Sequence, residues 1–339
     1  MLTITGEAVL VVGALAILYL AFRGPSGHPT ASGPPATATT SPSSPHASGG
    51  QSVGQGTGTQ PAAVPSAASA ATVTPSPSAS ASVSASASQA EGPLGAQVQS
   101  YLAGRRGKTE VAVYDVSSGQ QWTLGSQAPQ AEESVVDLEI LEAVLHQRRV
   151  QRTVLSLTEQ ELAPPLIEQS DTGATTTLWA DVGGAGGMRA FDHAAGLAHT
   201  SPSNCLQCSG SSVPGWGLTA STPQDQITLL RQLARPSGVL DKNDQKYALY
   251  LLENVELAQR WGVSGGVPAG VTVALKNGVQ PLNVGETDWQ VNSVGWVSGD
   301  GRNYLMAVLS TGDPSEQYGI DTLNHLGAME WSALASQRG

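Results

Sequence analysis

Between Gly24 and Ala90 the chain has no Asp, Glu, Lys or Arg and no aromatic residue. A stretch built almost wholly of Ser, Ala, Thr, Pro and Gly cannot bury enough apolar surface to offset backbone ordering, about 1–2 kcal/mol per residue. It is expected to be a disordered linker or stalk with local extended character. At 67 residues a flexible coil of this kind reaches on the order of 45 Å. Cysteine is also scarce, with Cys205 and Cys208 alone. Two cysteines spaced Cys-x-x-Cys lack the further ligands of a zinc site, His199 being the one nearby candidate, and lack the βαβ setting of a thioredoxin-like centre. Outside the cell such a pair is expected to be a disulfide pinning a Gly/Ser-rich loop. The scarcity of basic residues excludes another class. The whole chain carries a net charge of −11, and apart from Glu7 and Arg23 every charge lies after residue 90, so a nucleic-acid partner is not expected.

One long hydrophobic run is present, Ala8 to Phe22, between Glu7 and Arg23. Fifteen helical residues span about 22 Å; with Leu2 to Gly6 added, the length approaches the roughly 30 Å of a bilayer core. An uncleaved membrane anchor and a secretory signal both fit. Arg23, on the C-terminal side, argues for a cytoplasmic C-terminus; the stalk-like linker and the domain that follows argue for an extracytoplasmic one. Three segments result: an anchor or signal helix over 1–23, the linker over 24–90 and a globular domain over 91–339.

Within the globular part, Leu94 to Leu102 reads as a short helix. Glu110 to Val116 alternates as a strand does, and Gln120 to Gly125 can return as its hairpin partner across Ser117-Ser118-Gly119. Ser134 to Leu145 has the apolar spacing of a buried helix. Helical patterns follow at Thr158 to Gln169, Ala174 to Val182, Met188 to Ala195, Pro223 to Ala234 and Lys242 to Val255. Strand-like runs at Val271 to Lys276, Trp289 to Ser298 and Tyr304 to Ser310 precede a last helix from Glu316 to Leu334. Strands kept apart from a block of helices predict an α+β fold, a five-stranded antiparallel sheet packed against a helical lobe. Gly183 to Gly187 lacks the Lys-Ser/Thr of a phosphate loop and reads as a flexible turn between helices. Arg148, Arg149 and Arg152 read as a solvated surface, and Trp216, Trp289, Trp296 and Trp331 as core or cleft lining.

The motifs carry a family likeness over roughly 70% of the chain. VAVYDVSSG with QQWTLG, SVVDLEILEAVL, LIEQSDTGATTTLW and ALKNG stand in the order of the class A β-lactamase and penicillin-binding transpeptidase-like superfamily. The chain most resembles its secreted or membrane-anchored serine hydrolases from high-GC Gram-positive bacteria. The resemblance puts Ser134 at the nucleophile position and Asp137 where Ser-x-x-Lys carries its lysine. Ser170-Asp171-Thr172 stands for Ser-Asp-Asn, and Lys276-Asn277-Gly278 for Lys-Thr-Gly. It therefore implies catalytic positions at Ser134, Asp137, Ser170 and Lys276, ligand-binding positions at Asp171, Thr172, Asn277 and Gly278, and no metal or cofactor.

The departures have chemical consequences. An amine three residues beyond the serine lies on the same helix face and makes its hydroxyl nucleophilic. A carboxylate there reverses the field, and an exposed Asp, with a pKa near 4, is too weak a base for an alcohol. Thr172 keeps a hydroxyl but loses the donor-and-acceptor amide of asparagine. Between Gly196 and Ser221 there is no Asp or Glu to activate a hydrolytic water, and Glu168 reads as a solvated helix residue. Ser134 and Asp137 together resemble a capping box that opens a helix. Alternatively, Asp137 pairs with Lys276 across the old cleft. Three functions follow as expectations: an extracytoplasmic pseudoenzyme binding a peptidoglycan fragment, a β-lactam or a protein partner; an active hydrolase using Ser134 with Ser170 and Lys276; or a structural envelope protein.

Overall fold

In the computed structural model, residues 92–205, 215–235, 237–282 and 285–336 are described. The apolar run and the linker predicted from the sequence lie outside them. No helix among the described residues is long and apolar enough to cross a membrane.

The alternating pattern near the start forms strand β1 (Lys108–Asp115), which pairs antiparallel with β2 (Gln121–Leu124) across the Ser117–Gly119 turn. The turn is held by Asp115 Oδ1, which accepts from the Ser117 amide at 2.7 Å. The closing strands β5 (Thr272–Pro281), β6 (Trp289–Gly299) and β7 (Arg302–Asp313) complete one five-stranded antiparallel sheet in the order β2-β1-β7-β6-β5. Both faces of its centre are covered, so β7 reads as a run of buried residues from Tyr304 to Ser310 rather than as an alternation. Two further short strands, β3 (Gln130–Ala131) and β4 (Ala220–Ser221), pair apart from the sheet.

Helix α1 (Ala96–Ala103) opens the domain and α8 (Glu316–Ser336) closes it. The helical lobe comprises α2 (Val136–Gln151), α3 (Leu157–Gln169), α4 (Thr172–Asp181), α5 (Gly184–Ala195), α6 (Pro223–Ala234) and α7 (Lys242–Glu253). The predicted α+β architecture is the one observed.

Two local expectations are corrected. Gly183–Gly187 is a turn in part: Val182 and Gly183 turn between α4 and α5, whereas α5 begins at Gly184, and a Cβ on Gly187 would sit 1.7 Å from the Val182 carbonyl oxygen. Gly187 therefore permits a close approach to the end of α4. Arg148 is not simply solvated either. It forms ion pairs with Glu159 at 2.7 Å and Asp181 at 3.1 Å, tying α2 to α3 and α4, while Arg152 stays exposed. Cys205 is disulfide-bonded, and the sequence contains one other cysteine, Cys208, outside the described residues.

Candidate active site

The residues singled out from the sequence arrive from four elements. Ser134 lies in a 3-10 turn, Glu133–Val135, immediately before α2. The turn is anchored to the sheet, since Asn292 Nδ2 on β6 donates to the Ala131 carbonyl at 2.8 Å and the Glu132 carbonyl at 3.0 Å. Strand β5 presses on the same turn: a Cβ on Gly278 would fall 2.7 Å from the Glu132 oxygen and 2.8 Å from the Ser134 amide nitrogen. That close approach explains why the third motif still ends in glycine.

The predicted capping box does not form. The N-cap of α2 is Val135, with no side-chain cap. Because the 3-10 turn precedes the helix, Ser134 is displaced from the capping position, and Asp137 points inward. The Asp137 carboxylate is fully buried, with Oδ2 3.1 Å from Lys276 Nζ, which is also fully buried. Thr175 Oγ1 of α4 donates to Asp137 Oδ1 at 2.8 Å. The cross-cleft pair is thus formed, and the exposed, freely ionised Asp anticipated from the sequence is replaced by a sealed one. Burial pushes the Asp137 carboxyl above its ordinary range, against the opposing pull of Lys276 and Thr175. The same burial pushes the Lys276 amine below its ordinary value, with Asp137 opposing.

Lys276 also donates to the Ser170 hydroxyl and to the Asn277 carbonyl. Ser170 ends α3, whose last turns contain Pro164 and Pro165, and takes a left-handed conformation with φ +53°. Its hydroxyl donates to Gln259 Oε1 at 2.9 Å. Asp171 caps α4, its Oδ1 accepting from the Ala174 amide at 2.7 Å, so it is occupied with local structure. Thr172 is the first residue of α4 and is exposed. Asn277 Nδ2 donates to the Gln259 and Trp261 carbonyls at 2.7 and 3.2 Å.

Asp137, Lys276, Ser170, Asn277 and Gly278 are therefore gathered, whereas Asp171 and Thr172 face away into helix capping and solvent. The Ser134 hydroxyl, partly exposed, has no hydrogen-bond partner among the described residues. Sequence reasoning missed Thr175 and Gln259; Thr175 lies within LIEQSDTGATTTLW but past its Ser-Asp-Thr positions, one helical turn beyond Asp171, and Gln259 falls outside the motifs.

A second group of residues was also missed. Glu132, Glu133, Glu139 and Glu142 are buried around the start of α2. Burial drives Glu132 and Glu133 to pKa values of about 8 and Asp192 on α5 to about 6. Glu132 and Asp192 both contact Glu139, whose carboxyl burial also pushes well up. Burial and neighbouring negative charge both favour the neutral acid in such a cluster.

The β-lactamase enzyme family profile matches residues 148–334. Among solved structures, the chain is similar to the TLA-1 extended spectrum β-lactamase, with 16% identity and a TM-score of 0.60 over 70% of this chain and 96% of that one. It is likewise similar to an ancestral (GNCA) class A β-lactamase, at 18% identity and TM-score 0.59 over 70% and 98% of the two chains. A class A β-lactamase from Mycobacterium abscessus gives 22% identity and TM-score 0.58, again over 70% and 98%. At these identities the likeness establishes the fold. No curated protein matches the chain by sequence.

Proposed function

Because the chain belongs to the β-lactamase enzyme family, we propose that it is a member impaired at the nucleophile position, which binds a cell-wall ligand instead of turning over a β-lactam. One observation carries this reading: the carboxylate at the lysine position forms a sealed ion pair with Lys276. Ser134 is left without a base, and the lysine that would meet a ligand's carboxylate has its charge balanced from within. The absence of any Asp or Glu from residues 196–221 removes the usual means of activating a water on the deacylation side.

The ligand we assign is a peptidoglycan fragment, the natural counterpart of the acyl donors this fold recognises. The apolar run Ala8–Phe22, read as an anchor, and the uncharged linker after it would hold the domain outside the membrane within reach of the wall. Titration calorimetry with soluble muropeptides tests the reading. Saturable, reversible binding by the native chain and by Ser134→Ala supports it; no binding to either overturns it and leaves a structural envelope role.

A further inference from the structure

The hydroxyl that has a base in this molecule is not the one at the nucleophile position. Ser134 Oγ makes no hydrogen bond to an amine, imidazole or carboxylate among the described residues, whereas Ser170 Oγ accepts from Lys276 Nζ, and Asp137 Oδ2 lies 3.1 Å from the same nitrogen. Serine and aspartate are thus connected through one lysine nitrogen, from a partly exposed hydroxyl to a buried carboxyl.

We propose that Ser170 is the reactive nucleophile of this site, taking an acyl group from a neutral acyl donor while Lys276 and Asp137 move its proton. The proposal rests on the reading above that Ser134 is inert and that residues 196–221 cannot activate water.

Three independent features point to Ser170. Its backbone is held at φ +53°, a conformation that side chains other than glycine rarely adopt and that persists where surrounding structure imposes it. Its hydroxyl is already oriented by two partners, Lys276 and Gln259. It sits at the entry to α4, a ten-residue helix whose first-turn amides at Thr172 and Gly173 have no intrahelical acceptor and carry the positive end of the helix dipole. That positive end adjoins Ser170 in sequence, with the Asp171 carboxylate bound to the Ala174 amide of the same turn. The proton path is favoured by burial, which raises Asp137 and lowers Lys276, bringing the neutral amine and neutral acid closer in free energy to the ion pair.

The step balances within these groups. Lys276 passes a proton to Asp137 and accepts the Ser170 hydroxyl proton as Oγ attacks the donor carbonyl. The bond from that carbonyl to its leaving oxygen or nitrogen breaks, and Lys276 gives up the proton it took from Ser170. That proton goes to the leaving group where the group needs one, or to solvent where it departs as an anion such as nitrophenolate. Asp137 then returns its proton to Lys276, restoring the ion pair. The acyl group stays on Ser170. A neutral donor is specified because the Lys276 charge is already matched by Asp137, so a ligand carboxylate finds no free cation there.

The test uses the full chain and p-nitrophenyl acetate, a small neutral ester, with stopped-flow release of nitrophenolate and peptide mapping by mass spectrometry. The expected result is a burst of one equivalent, with the acetyl group on the peptide carrying Ser170. Ser170→Gly, which suits the left-handed backbone and so keeps the fold, loses the burst and the adduct. General-base assistance of the size usual for a positioned group predicts a loss in burst rate of about 10²–10⁴-fold. An acetyl group on Ser134 overturns both this inference and the impaired reading of Ser134. No stoichiometric adduct in the folded chain, or an adduct that persists in Ser170→Gly, overturns this inference alone.

Discussion

Asp137 Oδ2 lies 3.1 Å from Lys276 Nζ, and neither side chain reaches solvent. Two charges so placed depend on each other: removing either strands its partner in a low-dielectric interior, at a cost of about 3–5 kcal/mol. Lys276→Met and Asp137→Leu are each expected to lower unfolding free energy by about that amount. The double variant is expected to recover much of the loss, because an apolar pair of similar volume avoids the desolvation cost. Urea unfolding of all four proteins measures the cycle; strictly additive losses would show that the pair is not coupled.

Restoring the family residue at the altered position should not restore the chemistry. Asp137→Lys places two ammonium groups side by side in a sealed site and leaves residues 196–221 without a carboxylate. The expected outcome is a melting temperature below that of the native chain and no hydrolysis of nitrocefin. Steady-state hydrolysis by this variant would show that position 137 alone silences the site.

Stability should fall as pH rises. Glu132, Glu133 and Glu330 have pKa values of about 8 in the folded chain, driven by burial, against about 4.3 for an exposed glutamate. Stability from keeping them neutral is fully present below about pH 4.3 and is lost as pH rises through about 8. For Glu159 burial raises the carboxyl, but hydrogen bonds from Ser156 and Arg148 outweigh it and hold the group below the usual range, so its contribution is lost only at lower pH and leaves this slope unopposed. The urea midpoint is expected to be higher at pH 5 than at pH 9. Glu330→Gln, which removes one ionisation far from the site, should flatten the slope; an unchanged or reversed slope would contradict the assignment.

Gly278 is a packing position that the sequence presents as part of a binding motif. A methyl group there meets three backbone atoms, the Glu132 oxygen and the Ser134 and Val135 nitrogens, all within 2.9 Å. Backbone cannot swing aside as a flexible side chain can, so Gly278→Ala should cost about 1–3 kcal/mol. Hydrogen exchange should rise at 132–136 if the turn is displaced. Native-like exchange and stability would show that β5 yields freely.

Much of the fold was legible because its elements advertise themselves locally. The β1–β2 hairpin has alternation and a turn, α6 opens with Pro223 at its first position and Thr222 Oγ1 accepting from the Asp225 amide, and β6 repeats valine at 291, 294 and 297. The site was harder to read. Ser134 and Asp137 matched a capping box in type and spacing, yet the 3-10 turn shifted the helix start by two residues and turned Asp137 inward toward Lys276, 139 positions later. The buried glutamates of α2 were invisible for a related reason. Glu139 and Glu142 interrupt an apolar helix face as surface residues would, and only the folded packing, which buries both and sets Glu139 near Asp192 of α5, reveals that they are inside.

On the proposed function, Ser134 does not act as the nucleophile because the group at position 137 is a carboxyl paired with Lys276. Nitrocefin hydrolysis, followed at high enzyme concentration in the native chain and in Ser134→Ala, tests it most directly. No multiple turnover is expected from either protein. Sustained turnover by the native chain that disappears in Ser134→Ala would contradict it.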